Sequence, residues 1–227
     1  TVIGDFANMG AVNVLGSLVN AGTFYAVSTN SATTNAIINA SSVTNKTGGL
    51  ITSVLPAGGL AGFGNAIGNL SLTFMTQNLR NAGVISSAHD LNIVGTGGSL
   101  LVNNTGGTLS AVNNINISTP NAGKSDVLFV TGGNLLSQQL NLNASLAAIN
   151  VAAQQISGLV NAVGTYAHIG ALESSLNLGN INIVGDPTFW STLDIVLTGP
   201  LLVQPLESLT YLAGRNIILD TKIGGIT

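Results

Sequence analysis

The sequence predicts an all-β chain wound as a parallel β-helix, and three observations carry that expectation. First, Gly83-Val84-Ile85-Ser86-Ser87-Ala88-His89-Asp90-Leu91-Asn92-Ile93 aligns with Gly107-Thr108-Leu109-Ser110-Ala111-Val112-Asn113-Asn114-Ile115-Asn116-Ile117. A strand-turn-strand unit repeated at so short a period cannot bury its apolar face alone, so it must stack on its neighbours. Second, a block of Asn/Asp/Gln, Leu/Ile, any residue, then Ile/Leu/Val recurs, beginning at Asn69, Asp90, Asn114, Gln139, Asn180, Asp194 and Asn216. Third, 45% of residues are hydrophobic and only 6% charged, against about 25% charged in an average soluble domain. The mean hydropathy of +0.51 suggests a membrane protein. Yet Gly, Asn, Ser and Thr break every apolar run well short of the ~18–20 residues a spanning helix needs.

The elements follow in chain order. Asn8-Met9-Gly10-Ala11-Val12-Asn13-Val14, Asn20-Ala21-Gly22-Thr23-Phe24-Tyr25-Ala26 and Asn81-Ala82-Gly83-Val84-Ile85 share Asn-x-Gly-x-apolar-x-apolar. Asn and Gly tolerate the backbone of a tight corner, and the alternating apolar residues then enter the core. Asn8, Gly10, Asn20, Gly22, Asn81 and Gly83 are therefore expected at corners. Asp90, Asn114, Asn180 and Asn216, at the head of the recurring block, are expected at further corners, where stacked side chains can form hydrogen-bonded ladders. Within a block the period-2 alternation puts Ile115 and Ile117 on one face and Asn116 on the other. Corner spacings predict two to three short strands per coil and roughly ten coils, a rod on the order of 45–50 Å at the ordinary strand spacing.

Two stretches are less regular. Over 144–163, Leu146, Ile149, Ala153, Ile156 and Val160 fall at helical spacing, while Ile149-Asn150-Val151 alternates like a strand; the reading favours strand. Residues 185–207 hold three of the five prolines and the only Trp, which predicts an irregular loop or lateral insertion. Otherwise residues 1–227 read as one solenoid domain or a segment of a longer array. The chain opens at Thr1 with no signal-peptide pattern and is expected to be a mature or excised segment. Neither Thr1 nor Gly224-Gly225-Ile226-Thr227 offers a charged cap, so both ends are expected to let the rod continue by end-to-end self-association.

The pattern Asn-x-Gly-x-Ile-x-Ser/Ala-x-x-x-Leu-x-Ile resembles the repeats of filamentous haemagglutinin-type proteins, large secreted bacterial adhesins that fold as right-handed parallel β-helices. Leu79 through Ile93, Gly106 to Ile117, and Tyr211-Leu212-Ala213-Gly214-Arg215-Asn216-Ile217-Ile218-Leu219 carry the likeness. The Asn-Pro-Asn motifs of that family's secretion domain are absent, with only Thr119-Pro120-Asn121 as an echo, so the likeness points to a shaft segment. The resemblance implies an extracellular or cell-surface location and an adhesive or filament-building role. The right-handed preference of parallel crossovers agrees with the implied hand.

Composition narrows the function classes. A net charge of −3 with five Lys and Arg argues against a nucleic-acid partner, because nothing would neutralise a run of phosphates. The absence of Cys removes disulfides, thiolate metal sites and cysteine nucleophiles. No HExxH, His-x-His, acidic calcium loop or Gly-Gly-x-Gly-x-Asp repeat occurs, so no metal or cofactor is assigned. Ser86, His89 and Asp90 are too close in sequence for a catalytic triad, and no catalytic residue is assigned. His168, isolated between Ala167 and Ile169, is read as a partly buried histidine with its hydrogen bonds satisfied.

Asp186-Pro187-Thr188-Phe189-Trp190 is the most individual motif: an acid beside Trp190 suits sugar stacking and hydrogen bonding, so Asp186 and Trp190 are candidate contacts for a host or environmental glycan. Six sequons, at Asn39, Asn45, Asn69, Asn103, Asn116 and Asn143, are candidate N-glycosylation sites. The favoured reading is a non-catalytic structural or adhesive shaft. The competing one is a carbohydrate-active β-helix enzyme, a lyase or hydrolase, which needs two acids, or an acid and a base, close together in one groove.

Overall fold

The computed structural model describes residues 2–5, 11–68, 70–203 and 207–220. Asn8, Gly10 and Asn69 lie outside the described residues. Every named element is a strand, and every strand-to-strand pairing is parallel. The chain is a parallel β-solenoid of about nine turns, with hand and turn count consistent with the expected right-handed helix.

Three faces, here A, B and C, follow one another along the chain. Face A stacks Ser71–Thr76, Leu91–Gly95, Asn114–Ser118, Gln139–Asn143, Leu159–Gly164 and Leu176–Ile183, in that order. Face B stacks Asn78–Asn81, Leu100–Asn103, Val127–Thr131, Ala148–Ala153, Tyr166–Ala171, Thr188–Ser191 and Thr210–Ala213. Face C stacks Val2–Asp5, Thr23–Val27, Leu50–Thr52, Val84–Ser87, Thr108–Ala111, Asn134–Leu136 and Gln155–Ile156. In the first two coils, faces A and B are one bent strand each, Ala11–Asn20 and Asn35–Asn45.

Alternation does the packing. In Leu91–Gly95 and Asn114–Ser118 the residues Leu91, Ile93, Ile115 and Ile117 point inward and are fully buried, while Asn92 and Asn116 point out. Stacked in register, these side chains make one continuous apolar column from Phe24 to Ile195. The column opens at both described ends, where Val12, Val14 and Leu18 on one side and Leu197, Leu201, Tyr211 and Ala213 on the other are only partly covered.

The internal repeat is a true rung-on-rung match: Ile85 pairs Leu109, Ser86 pairs Ser110, Leu91 pairs Ile115 and Ile93 pairs Ile117. Two blocks differ from the sequence register. Leu72 and Phe74, not Leu70 and Leu72, align with Leu91 and Ile93. The block at Asn180 is the second half of Leu176–Ile183, separated from the first by a register shift opposite Val160 and Ala162, so Asn180 sits on face A and not at a corner. The intervening rung, Leu159–Gly164, lies in the stretch whose sequence admitted helix. It forms strands throughout, with Ile149, Ala153, Ile156 and Val160 buried and Leu146 exposed at a turn.

Within the expected irregular loop or lateral insertion over 185–207, Thr188–Ser191, Ile195–Leu197 and Leu201–Val203 are ordinary rungs, and 204–206 lie outside the described residues. Pro187 and Pro200 precede these strands, where a missing N–H costs no ladder bond. Their carbonyls accept the Thr210 and Ile181 amides. The irregular segment lies instead between Thr52 and Ser71, where Pro56 and four glycines between 58 and 64 make a chain of turns. An isolated antiparallel bridge between Ser28 and Ile67 ties it to the preceding coil.

Candidate functional site

Polar side chains of this rod fall into four groups, and each owes its place to the rung register. The deepest is a buried amide chain at the corner between faces B and C. Asn20 Nδ2 donates to Asn45 Oδ1 at 2.8 Å, Asn45 Nδ2 to Asn81 Oδ1 at 2.8 Å, and Asn81 Nδ2 to Asn104 Oδ1 at 2.7 Å. The chain ends where Asn104 Nδ2 donates to the Asn134 carbonyl at 3.1 Å. Each amide also serves its own corner: Asn45 Nδ2 reaches the Gly49 and Val84 carbonyls, and Asn81 Oδ1 accepts from Gly83 N. Glycine at 83 is a packing requirement, since a Cβ there would overlap the Gly49 carbonyl. Asn20, Gly22, Asn81 and Gly83 were legible from Asn-x-Gly. Asn45 and Asn104 were not, because extra residues separate them from Gly49 and Gly107.

A second ladder runs along the outer surface of face A. Asn92 Nδ2 donates to Thr73 Oγ1, Asn116 to Asn92, Asn141 to Asn116 and Asn161 to Asn141, at 3.0, 2.8, 2.8 and 2.7 Å. Asn161 Oδ1 then accepts the Asn180 backbone N–H. The third group is an acid-over-amide clasp used twice. Asp90 Oδ1 accepts from the backbone and side-chain amides of Asn114, and Asp194 Oδ1 accepts from those of Asn216. A carboxylate receiving two N–H bonds there fixes the turn into face A.

The sequons fare unequally. Asn45 is fully buried with its amide committed to the corner chain, and Asn116 is half-buried in the outer ladder. Asn39 and Asn143 are exposed and Asn103 is half-buried. Glycan attachment to the folded rod is sterically open at Asn39 and Asn143 and closed at Asn45.

The fourth group occupies the outer surface of face B in the C-terminal coils. Trp190 lies over Gly170 of the preceding rung, where a Cβ would overlap the indole. His168, expected to be partly buried, points outward and is exposed, because Ala167 and Ile169 take the inward positions of its strand. Its ring lies 6.3 Å from Trp190. Tyr166 and Leu212 are exposed nearby on the same face. Asp186 shares the outward alternation with Thr188 and Trp190, and its carboxylate also accepts the Ser208 amide. The Glu207 carboxyl hydrogen-bonds Asp186, and that bond, followed by desolvation and the like charge, pushes Glu207 above the usual carboxylate range. Beneath them Phe189 stacks on Tyr211 at 5.8 Å, and burial pushes the Tyr211 phenol up to about 12.

Ser86, His89 and Asp90 form no reacting set: Ser86 meets Thr52, His89 is exposed beside Asn113, and Asp90 holds Asn114. Among the described residues no three His, Asp or Glu side chains gather as metal ligands, and no helix is long and apolar enough to cross a membrane. Comparison with known proteins gives no match to a family model, to a curated protein or to a solved structure.

Proposed function

We propose that this chain is a non-catalytic structural or adhesive shaft of the cell surface or extracellular space, assembling end to end into a filament or matrix. The observation that carries this reading is the apolar column, sealed along the middle coils and open at both described ends. Partly covered apolar residues beside strand edges at the described ends favour continuation by another copy, since association removes apolar surface from water and pairs the open ladder. The likeness to filamentous haemagglutinin-type repeats supports the same role. Sedimentation velocity over a concentration series tests it, comparing wild type with a Leu18→Asp, Leu197→Asp double variant. Concentration-dependent growth that the variant loses is expected; identical monomeric behaviour of both proteins refutes end-to-end assembly.

A second reading rests on the Asp186–Glu207 carboxyl pair, which shares the outward side of face B with Trp190 farther along the strand. Aromatic rings with flanking hydrogen-bonding groups suit a neutral glycan, and two carboxyl groups in contact can divide the roles of general acid and base. Turnover of plant and bacterial polysaccharides by wild type, lost in Glu207→Gln, favours a carbohydrate-active enzyme. Binding without turnover, lost in Trp190→Ala, favours a glycan-binding module.

A further inference from the structure

We infer that a lateral groove across coils two to four binds an acidic polysaccharide through Lys46 and Arg80. The site lies on the flank of the rod, one coil above Ala11–Asn20 at the N-terminal described end and several coils from Trp190, and does not depend on the assembly proposed above.

Arg80 is the outward residue of Asn78–Asn81 on face B, in register with Thr44 below and Asn103 above. Lys46 follows Asn45 at the corner between faces B and C, its backbone held by Lys46 N donating to Asn20 O and Lys46 O accepting from Gly49 N. Both side chains are exposed, and neither has an ion pair or side-chain hydrogen bond among the described residues. The chain has only five Lys and Arg, yet two of them sit on adjacent rungs with no carboxylate between them. They line a groove of 510 Å³ together with Thr44, Thr47, Asn103 and Thr105. Around the corner it meets a second groove of 370 Å³ at Ala82, floored by Gly48, Gly49, Gly83 and Gly106.

These features specify a ligand class. Two unpaired cations on successive rungs repel one another, and an anion between them turns repulsion into charge-assisted hydrogen bonds. The surrounding hydroxyls and amides pair with sugar hydroxyls, and the glycine floor lets a ring approach the backbone. Three rungs at ~4.8 Å spacing give a footprint of about 10 Å, enough for more than one sugar. Two cations on a net-negative chain are too few to track a nucleic acid. The recognised anion is a carboxylate or a sulfate ester of the polymer.

The test is calorimetric titration of the full chain with polygalacturonate, dextran sulfate and neutral dextran. Expected is binding of at least one acidic polymer, weakening as rising salt shortens the Debye length below about 10 Å, with neutral dextran inert. Which acidic polymer binds identifies the anion. Lys46→Gln and Arg80→Gln should each weaken binding about tenfold or more, and the double variant should lose it. Arg215→Gln should bind as wild type. All variants should melt as wild type, because the side chains removed are exposed and make no hydrogen bond or ion pair among the described residues. The inference is overturned if neither acidic polymer binds, if dextran binds as well, if the double variant keeps wild-type affinity, or if Arg215→Gln weakens binding as much as Arg80→Gln.

Discussion

The coils between Ser71 and Ile156 and those between Leu159 and Leu219 are built from the same alternating rungs but are held differently. The first group has three faces and, over its first turns, the buried amide chain through Asn81 and Asn104. The second has two faces, because face C ends at Gln155–Ile156. Ser174 takes the place of the missing strand, its hydroxyl accepting from Ile156 N and donating to Ile156 O, and Ser191 in turn donates to the Ser174 carbonyl. Residues between stacked positions fall accordingly, from 24 and 25 along the outer ladder in the middle to 18 for the Ser174–Ile156 contact. The difference appears in apolar exposure, since Leu212 and Ile217 to Leu219 are exposed. Buried polar atoms without a protein partner occur in both groups, Asn78 Oδ1 and Thr119 Oγ1 in the first and Trp190 Nε1 and Tyr211 OH in the second. An apolar column is sufficient to stack rungs, while the third face adds a buried amide chain that ties successive corners together.

The largest expected effect separates the two groups by core truncation. Ile85→Ala, in the sealed column, should cost about 3–4 kcal/mol, and Leu197→Ala, at the open end, only about 1 kcal/mol, both by denaturant titration. Equal losses would erase the distinction between sealed and open coils. Next is Asn45→Ala, which strips the donor from Asn81 Oδ1 and from the Gly49 and Val84 carbonyls. About 2–3 kcal/mol should be lost, with hydrogen-exchange protection falling first at the corners between faces B and C; a loss below ~0.5 kcal/mol would mean that water replaces the chain.

A smaller effect of opposite sign is expected at the C-terminal end. Tyr211→Phe removes a hydroxyl that has no partner and should be neutral or stabilising by up to about 1 kcal/mol. Its phenol is raised from 10.0 to about 12 by burial, so the folded state favours the neutral form. That contribution is complete below pH 10 and is lost as pH rises from 10 towards 12. Alkaline melting of the wild type should show the loss and Tyr211→Phe should not. The smallest effect is Asn161→Ala on the outer ladder, about 0.5–1 kcal/mol because water can serve the freed groups; a cost equal to that of Asn45→Ala would contradict the ranking of buried above solvated amides.

Much of this was legible in the sequence. Strand class, parallel stacking, the rung match of Ile85 with Leu109 and the corner roles of Asn20, Asn81, Asp90 and Asn114 follow from alternation and from Asn-x-Gly spacing. Less was legible wherever length varies between rungs. The two-residue shift at Leu72, the split rung at Asn180 and the corner amides Asn45 and Asn104 all lie beside insertions that a local pattern cannot align. The segment 185–207 misled because proline marks strand starts as well as loops. The pairing of Asp186 with Glu207, and of Lys46 with Arg80, is set by stacking between coils, which no single rung encodes.

The proposed assembly completes the open column with a second copy. Cryo-electron microscopy of the purified chain over a range of concentrations tests it most directly. End-to-end assembly predicts filaments with a ~4.8 Å rung spacing running unbroken across the joints, longer as concentration rises. Single rods of unchanging length at every concentration would contradict it.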